Sequence, residues 1–276
     1  RRANGPLIAL MNRLGGQLNL ARAAPGKHEF DETLRYYTAQ MDRHGVTLRL
    51  GCRATADDLA GFDHVVIASG VTPRIPDIPG IDHPKVATYA EILCGAREAG
   101  QTVAIMGAGG IGHDVAEFLV THPAEANENA AFFDTWGVDG QFRNAGALAG
   151  DPLAAVPAKR KVVMLQRKTS KVGQGLGIST GWILRNALRK HGVETLAGVV
   201  YQRIDDGGLH VLSNGETKVI AADTIVLCTG QEPVRTLVEA LAARGISATM
   251  IGGAAEAAEL DALRAIDEGV RLAQSL

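Results

Sequence analysis

The chain has 276 residues, 46% of them hydrophobic, enough for a substantial core in one or two domains. Lys and Arg total 28 against 30 Asp and Glu, and the net charge of −2 gives neither nucleic acid nor an anionic membrane an electrostatic hold. Thirty-three glycines beside 4% aromatics fit an α/β chain with many tight turns, and no uninterrupted apolar run reaches the roughly 20 residues that span a bilayer.

The N-terminal RRANGPLIALMN starts basic and turns apolar, but its apolar part is short and interrupted. It reads as non-targeting, and the protein as cytoplasmic. Residues 28–44, HEFDETLRYYTAQMDRH, carry Phe30, Leu34, Tyr37 and Met41 at helical spacing. A short strand, VTLRL (46–50), follows, then a helical turn in ATADDLAGF with Thr55 and Asp58 as an N-cap pair. HVVIASG (64–70) reads as a buried strand ending in small residues. The next segment, VTPRIPDIPGIDHP, holds Pro73, Pro76, Pro79 and Pro84 and must be an extended connection. A helix over about 89–98 leads to the central motif.

That motif is TVAIMGAGGIGHDVAEFLV (102–120), a G-x-G-x-x-G with an apolar strand before it and a helical pattern after it. Gly107 allows the tight turn, Gly109 lets the backbone approach a pyrophosphate, and Gly112 lets the helix pack on the strand. With Ala108, Gly110 and Ile111 they form a dinucleotide-binding turn, the pyrophosphate resting on amides at the positive end of the helix dipole. His113, just after the turn, reads as a surface residue at the helix start and not as a catalytic base.

The spacing leaves the dinucleotide open. A free adenosine ribose calls for an acidic residue at the end of the second strand, about 20 residues on, and AAFFD places Asp134 near there. The other candidate strand, KVVMLQRK (161–168), ends in Gln166, Arg167 and Lys168 and makes 121–160 an insertion. Its two cations suit a 2′-phosphate, which Arg grips with a fork and Lys with a point charge.

Further on come a helix over 180–192, strands near VETLAGVVYQRI and GLHVL, and a strand TIVLCTG (224–230). A closing helix over 257–275 aligns Leu260, Leu263, Ile266, Val270 and Leu272. Strands alternating with helices imply a largely parallel sheet covered on both faces. Cys52, Cys94 and Cys228 form no C-x-x-C or C-x-x-x-x-C pair. A structural zinc, a four-cysteine cluster and a redox disulfide therefore lack ligands, and the three read as buried, reduced thiols.

Several phrases point one way: GGQLNLARAAPGKHEF, VIASGVTPRIPDIPGIDHPKV, GAGGIGHDVAEFL, VMLQRKTSKVGQGLG, TGWILR, IDDGGLHV, TGQEP and IGGAAEAAELDALRAI. Together they resemble the C-terminal flavin- and NADPH-binding portion of bacterial 2,4-dienoyl-CoA reductase. That family belongs with trimethylamine dehydrogenase among the fused Old-Yellow-Enzyme-type oxidoreductases. The resemblance implies a Rossmann-like three-layer α/β NADPH-binding domain, 99–222 with insertion 121–160, set into a partial FAD-binding domain of 14–98 and 223–276. Residues 1–13 are left unassigned. It also makes KVVMLQRK the second strand and puts Arg167 and Lys168 at the NADPH 2′-phosphate.

By the same resemblance, NADPH reduces FAD in this region. FMN and a 4Fe–4S cluster belong to an N-terminal barrel and iron–sulfur region, absent from this sequence, where the dienoyl thioester is reduced. The implied FAD contacts are Gly16, Gln17, Lys27 and Ala54, then Ala68, Ser69 and Gly70, and near the end Gly252 and Gly253. Gly230, Gln231 and Glu232 fall where the two nucleotides approach each other. Trp182 is implied either as a stacking partner for nicotinamide or adenine or as core. The family's FAD domain opens with its own G-x-G-x-x-G. Nothing before Gly15 matches it, and Ala255 stands where related flavoproteins often carry an acidic residue. The expectation is a fragment or truncated homologue that retains FAD weakly or not at all, binds NADP(H), and does not itself reduce an acyl-CoA. No catalytic acid, base or nucleophile is named, because the cofactors carry the chemistry. An enoate reductase or amine dehydrogenase-type flavoprotein, and a non-catalytic nucleotide-binding protein, are the other readings.

Overall fold

The computed structural model describes residues 5–122, 129–151, 154–258 and 261–276. The first stretch forms β1 (Leu7–Ile8), α1 (Leu18–Ala21), α2 (Phe30–Arg43), β2 (Leu48–Arg49), β3 (Val65–Ile67) and β4 (Val71–Pro73). Then come β5 (Val86–Thr88), α3 (Tyr89–Leu93), β6 (Thr102–Met106), α4 (Gly110–Val120), α5 (Asn129–Trp136), β7 (Lys161–Leu165) and α6 (Gly181–Lys190). The remainder forms β8 (Glu194–Leu196), β9 (Val200–Asp205), β10 (Gly208–Ser213), β11 (Glu216–Ile220), β12 (Thr224–Leu227), β13 (Gln231–Pro233), α7 (Thr236–Ala242), β14 (Ala248–Met250) and α8 (Ala262–Ser275). The fold is the Rossmann-like α/β class read from the sequence. Among the described residues, no helix is long and apolar enough to cross a membrane.

The chain divides into two compact units. One, here the five-stranded unit, comprises Leu20–His28 and Pro73–Gly230; the other, the split unit, comprises Arg1–Asn19, Glu29–Thr72 and Gln231–Leu276. These divisions fall outside the 98/99 and 222/223 boundaries read from sequence, because β5 and β12 hydrogen-bond into the same sheet as β6.

The five-stranded sheet that gives this unit its name has all its strands parallel, in the order β5-β12-β6-β7-β8. Side chains alternate across a strand, so one sequence serves two layers. Val103 and Ile105 of β6, Val162 and Met164 of β7 and Val226 of β12 face Ile92, Val115, Leu119 and Leu188 of α3, α4 and α6. Ala104, Met106, Leu165, Ile225 and Leu227 face the other way, against Ile204, Leu209 and Val211. Those last three belong to an antiparallel sheet of order β11-β10-β9. The second face is therefore covered by a β-meander and not by helices. Asn214 at φ 53 and Gly215 at φ 82 make the tight turn joining β10 to β11.

Of the two candidate second strands the one implied by the resemblance, KVVMLQRK, is the one that forms, and two other readings change. AAFFD lies in α5, with Phe132 and Trp136 at helical spacing and ring centroids 6.4 Å apart. The second strand is β7, paired in register with β6 from Thr102↔Lys161 to Met106↔Leu165. Asp134 is thus no strand-end ribose acceptor. α3 is shorter than expected: a Thr88/Glu91 capping box starts it, and Gly95 at φ 75 lets the chain leave. Of the three thiols, only Cys228 is buried, while Cys94 is exposed and Cys52 half-buried.

Among the described residues the strands of the split unit pair two by two: β1 with β2, β3 with β14, and β4 with β13. Its core gathers Ala56, Val65, Ile67, Leu241 and Ala254. α2 forms as expected, yet none of its residues is buried. VTLRL contracts to β2, and Thr55 and Asp58 bond reciprocally (2.9 and 3.3 Å) around a turn. In α8, Leu263, Ile266 and Val270 stay exposed, whereas Leu260 lies outside the described residues.

Candidate functional site: the glycine turn and the second strand end

β6 ends at Met106, and the chain reverses into α4 through the glycines. Gly107 sits at φ +107, and a Cβ there would stand 2.2 Å from the Cys228 carbonyl oxygen. A Cβ on Gly112 would stand 2.2 Å from the Gly107 carbonyl oxygen. Backbone packing alone therefore demands these two glycines. Gly109 and Gly110 are different, because both are exposed and an added Cβ would meet nothing within 4 Å. The pattern merges two causes, one internal to the fold and one facing outward. Ala108 is buried and Ile111 half-buried, fixing the turn's inner side. α4 begins at Gly109 with no side-chain cap and no acidic residue in its first turn. Its first amides therefore have no side-chain acceptor at the cap, and the dipole's positive end lies at this turn. The turn lies at the C-terminal end of β6, beside that of β12, where the strand order reverses direction, the usual ligand position in such sheets.

His113 is not a surface residue: it is 1% exposed. Its Nδ1 lies 2.9 Å from the Gly109 carbonyl oxygen, which can only accept, so Nδ1–H donates. Burial lowers its pKa, leaving a neutral ring at neutral pH. Its Nε2 abuts Gly173, where a Cβ would approach to 2.9 Å. His113 therefore ties the glycine turn to the loop after β7. A helical pattern alone does not reveal this, since the covering loop is distant in sequence.

Arg167 and Lys168 lie just past β7, after Gln166, beside the glycine turn; Gly107 N–H donates to Leu165 O at 2.8 Å. Both cations are exposed, and among the described residues neither side chain has a hydrogen bond or ion pair. Tyr201 was missed by the sequence reading. Its phenol donates to the same Leu165 oxygen at 2.9 Å, and burial pushes its pKa up, so it remains a donor. Its contact arises only when the meander packs under the sheet.

Lys27 also lies in the five-stranded unit, where its Nζ meets both Asp114 oxygens at 2.7 and 2.6 Å. Glu117, one turn along α4 from Asp114, is pushed up to about 7 by burial and then by the Asp114 charge, with Lys27 opposing. Buried Cys228 is likewise pushed up by burial and stays a neutral thiol. Gly230, at φ +110, ends the β12 turn; Arg74 N–H donates to its oxygen at 3.0 Å, and the Arg74 guanidinium donates to Thr229 O. Trp182 is 52% exposed at the start of α6, its Nε1–H donating to Ser179 O at 3.0 Å, so it is not a core residue.

The remaining candidates lie in the split unit. Gly16 is exposed at φ 47, and Gln17 Nε2 donates to Val71 O at 3.2 Å. Ala54 is half-buried, Ala68 exposed, and Ser69 Oγ donates to Val234 O at 2.5 Å beside Gly70 at φ 73. Gln231 is half-buried and Glu232 exposed. Gly252 and Gly253 are buried, and the Gly252 amide already donates to the Glu268 carboxylate. A depression of about 750 Å³ beside α2, lined by Arg35, Thr38, Ala39, Asp42, Val46 and Leu48, contains none of these residues.

A family model described as pyridine nucleotide-disulphide oxidoreductase matches residues 37–253. A metal reductase of Desulforamulus reducens is 28% identical over 88% of this chain and 36% of its own. A bilirubin reductase of Mediterraneibacter gnavus is 28% identical over 95% of this chain and 35% of its own. Among solved structures, a 2-naphthoyl-CoA reductase complexed with 2-naphthoyl-CoA superposes with a TM-score of 0.79. It covers 99% of this chain and 36% of its own, and at 24% identity it speaks to the fold alone. The chain thus spans about a third of the length of the relatives it matches. With 37–253 matched, a range that includes the glycine turn, the chain belongs to the pyridine nucleotide-disulphide oxidoreductase family.

Proposed function

We propose that this chain is the NADPH-binding, electron-entry portion of a flavin-dependent oxidoreductase that reduces 2,4-dienoyl-CoA thioesters. The observation that carries the nucleotide part is the pair of exposed cations, Arg167 and Lys168, which among the described residues make no hydrogen bond or ion pair and lie just past the end of β7, next to the glycine turn. Gly109 and Gly110 leave the space a pyrophosphate needs, and the uncapped α4 amides would receive it. Arg167 and Lys168 would hold the 2′-phosphate, and exposed Trp182 offers a ring face to the nucleotide. When bound, NADPH supplies a hydride, with flavin as its acceptor. The residues proposed to hold FAD are Gly16, Gln17, Lys27, Ala54, Ala68, Ser69, Gly70, Gly252 and Gly253, with Gly230, Gln231 and Glu232 toward the nicotinamide. FMN and 4Fe–4S centres would belong to a barrel and iron–sulfur region that this chain serves. The thioester part rests on the phrases quoted from the sequence.

A second reading is the same module serving a different acceptor. It is favoured by relatives that match nearly all of this chain yet are a metal reductase and a bilirubin reductase. The test is calorimetric titration with NADP⁺ and NAD⁺ on the wild type and Arg167→Ala. The proposal expects a clear NADP⁺ preference that the substitution removes. Equal binding of both nucleotides overturns the NADPH assignment. Retention of a yellow chromophore on purification would support flavin binding by this chain.

A further inference from the structure

Arg167 and Lys168 lie on a turn held by the side chain that precedes them. The half-buried Gln166 folds its amide back across the turn, Nε2 donating to Lys168 O at 3.1 Å and Ser170 O at 2.5 Å. Both partners are carbonyl oxygens, which only accept, so the nitrogen must face them, and both its hydrogens are used. The Gln166 backbone is itself pinned: its N–H donates to Leu196 O at 2.9 Å, and its oxygen accepts from Val199 N–H at 3.1 Å. Lys168 O takes a second bond from Gly198 N–H at 2.9 Å. Gly198, at φ +69, lies close under Thr169, whose methyl would be 3.4 Å from an added Cβ. Residues 166–170 are thus a closed turn fastened to the β8–β9 connection, with two exposed cations on it.

We infer that Gln166 is a positioning residue that sets selectivity for a dinucleotide bearing a 2′-phosphate, by holding this turn so that Arg167 and Lys168 address one phosphate. The inference rests on the NADPH reading above. Two long side chains lose conformational entropy when they grip an anion, and a fixed backbone beneath them limits that loss to the side chains. Gln166 also stands at the strand end, where sites for a free ribose place a carboxylate. A carboxylate there would face two carbonyl oxygens with no hydrogen to give. One substitution, Gln166→Glu, would therefore both open the turn and supply a ribose acceptor.

The experiment measures NADP⁺ and NAD⁺ affinities of the full chain by calorimetry, for wild type, Gln166→Met, Gln166→Glu, Arg167→Ala/Lys168→Ala and the triple combination with Gln166→Met. Met keeps the length and removes both donors. The expected result is an NADP⁺ Kd about tenfold higher in Gln166→Met, the scale of one or two net hydrogen bonds. NAD⁺ affinity should change by under about twofold, and Gln166→Met should add no further loss once both cations are gone. Gln166→Glu should shift the preference further toward NAD⁺. Equal losses for both nucleotides, or full additivity in the triple variant, would make Gln166 merely structural and overturn the inference while leaving the NADPH reading intact. If the wild type shows no NADP⁺ preference, the NADPH reading fails and the inference falls with it. Thermal unfolding of Gln166→Glu and Gln166→Met checks that the variants fold.

Discussion

The two units use the same kind of short parallel strand and differ in how much of each strand is covered. In β6, Ala104, Ile105 and Met106 are all 0% exposed, because α4 lies on one face and the meander on the other. In β3 of the split unit, Val65 and Ile67 are 4% exposed but Val66 between them is 41% exposed. One covered face gives an alternating strand, and two give a continuous apolar one. The lesson extends to the candidate residues. In the five-stranded unit Gly107 is fixed by a backbone contact to the end of β12 and Gly112 by one to the turn itself, whereas Gly16 and Gly70 of the split unit meet nothing that would exclude a side chain except their own positive φ.

The largest expected effect breaks the turn itself. Gly107→Ala forces a Cβ against the Cys228 carbonyl at a positive φ and should cost more than about 4 kcal/mol in denaturant unfolding. Gly109→Ala, with open space and φ −81, should cost within about 0.5 kcal/mol and yet weaken NADP⁺ binding. If the two variants were equally unstable, the distinction between fold-imposed and outward-facing glycines would collapse.

Next come the cores. Leu119→Ala should cost about 2–5 kcal/mol in the five-stranded unit, and Leu241→Ala a similar amount in the split unit. Hydrogen exchange separates them: Leu241→Ala should speed exchange in α7 and β14 while β6, β7 and β12 amides stay slow. Loss of protection in both units at once would mean that the chain unfolds as one body.

Glu117 supplies a pH test within the well-covered unit. Its folded pKa is raised from an ordinary 4.5 to about 7, so its contribution to stability is fully present below pH 4.5 and is lost as pH rises through 7. Glu117→Gln removes that loss, and its stability relative to wild type should grow by on the order of 2 kcal/mol between pH 5 and pH 8. A flat difference across that range would show that the carboxyl is better solvated than its packing indicates. The smallest effect belongs to α8. Leu263 is 78% exposed, and Leu263→Ser should change the melting free energy by within about 0.5 kcal/mol. A larger loss would reveal a covered face.

The sequence by itself determined what depends on local pattern. The apolar run before Gly107, the glycine spacing, the helical periods of α2, α4 and α6, and the cations after KVVML were all legible, because strand, turn and helix preferences act within a few residues. Tertiary structure decided what depends on residues far apart. AAFFD and KVVML are both short and apolar, and only in-register pairing with β6 makes the latter the second strand. His113 looks like a surface residue until the Gly173 loop covers it, and Tyr201 meets the sheet only through the meander. The apolar period of α8 was visible from the start, but the period states only which residues share a side. Whether that side is buried depends on a neighbouring layer that no local pattern encodes.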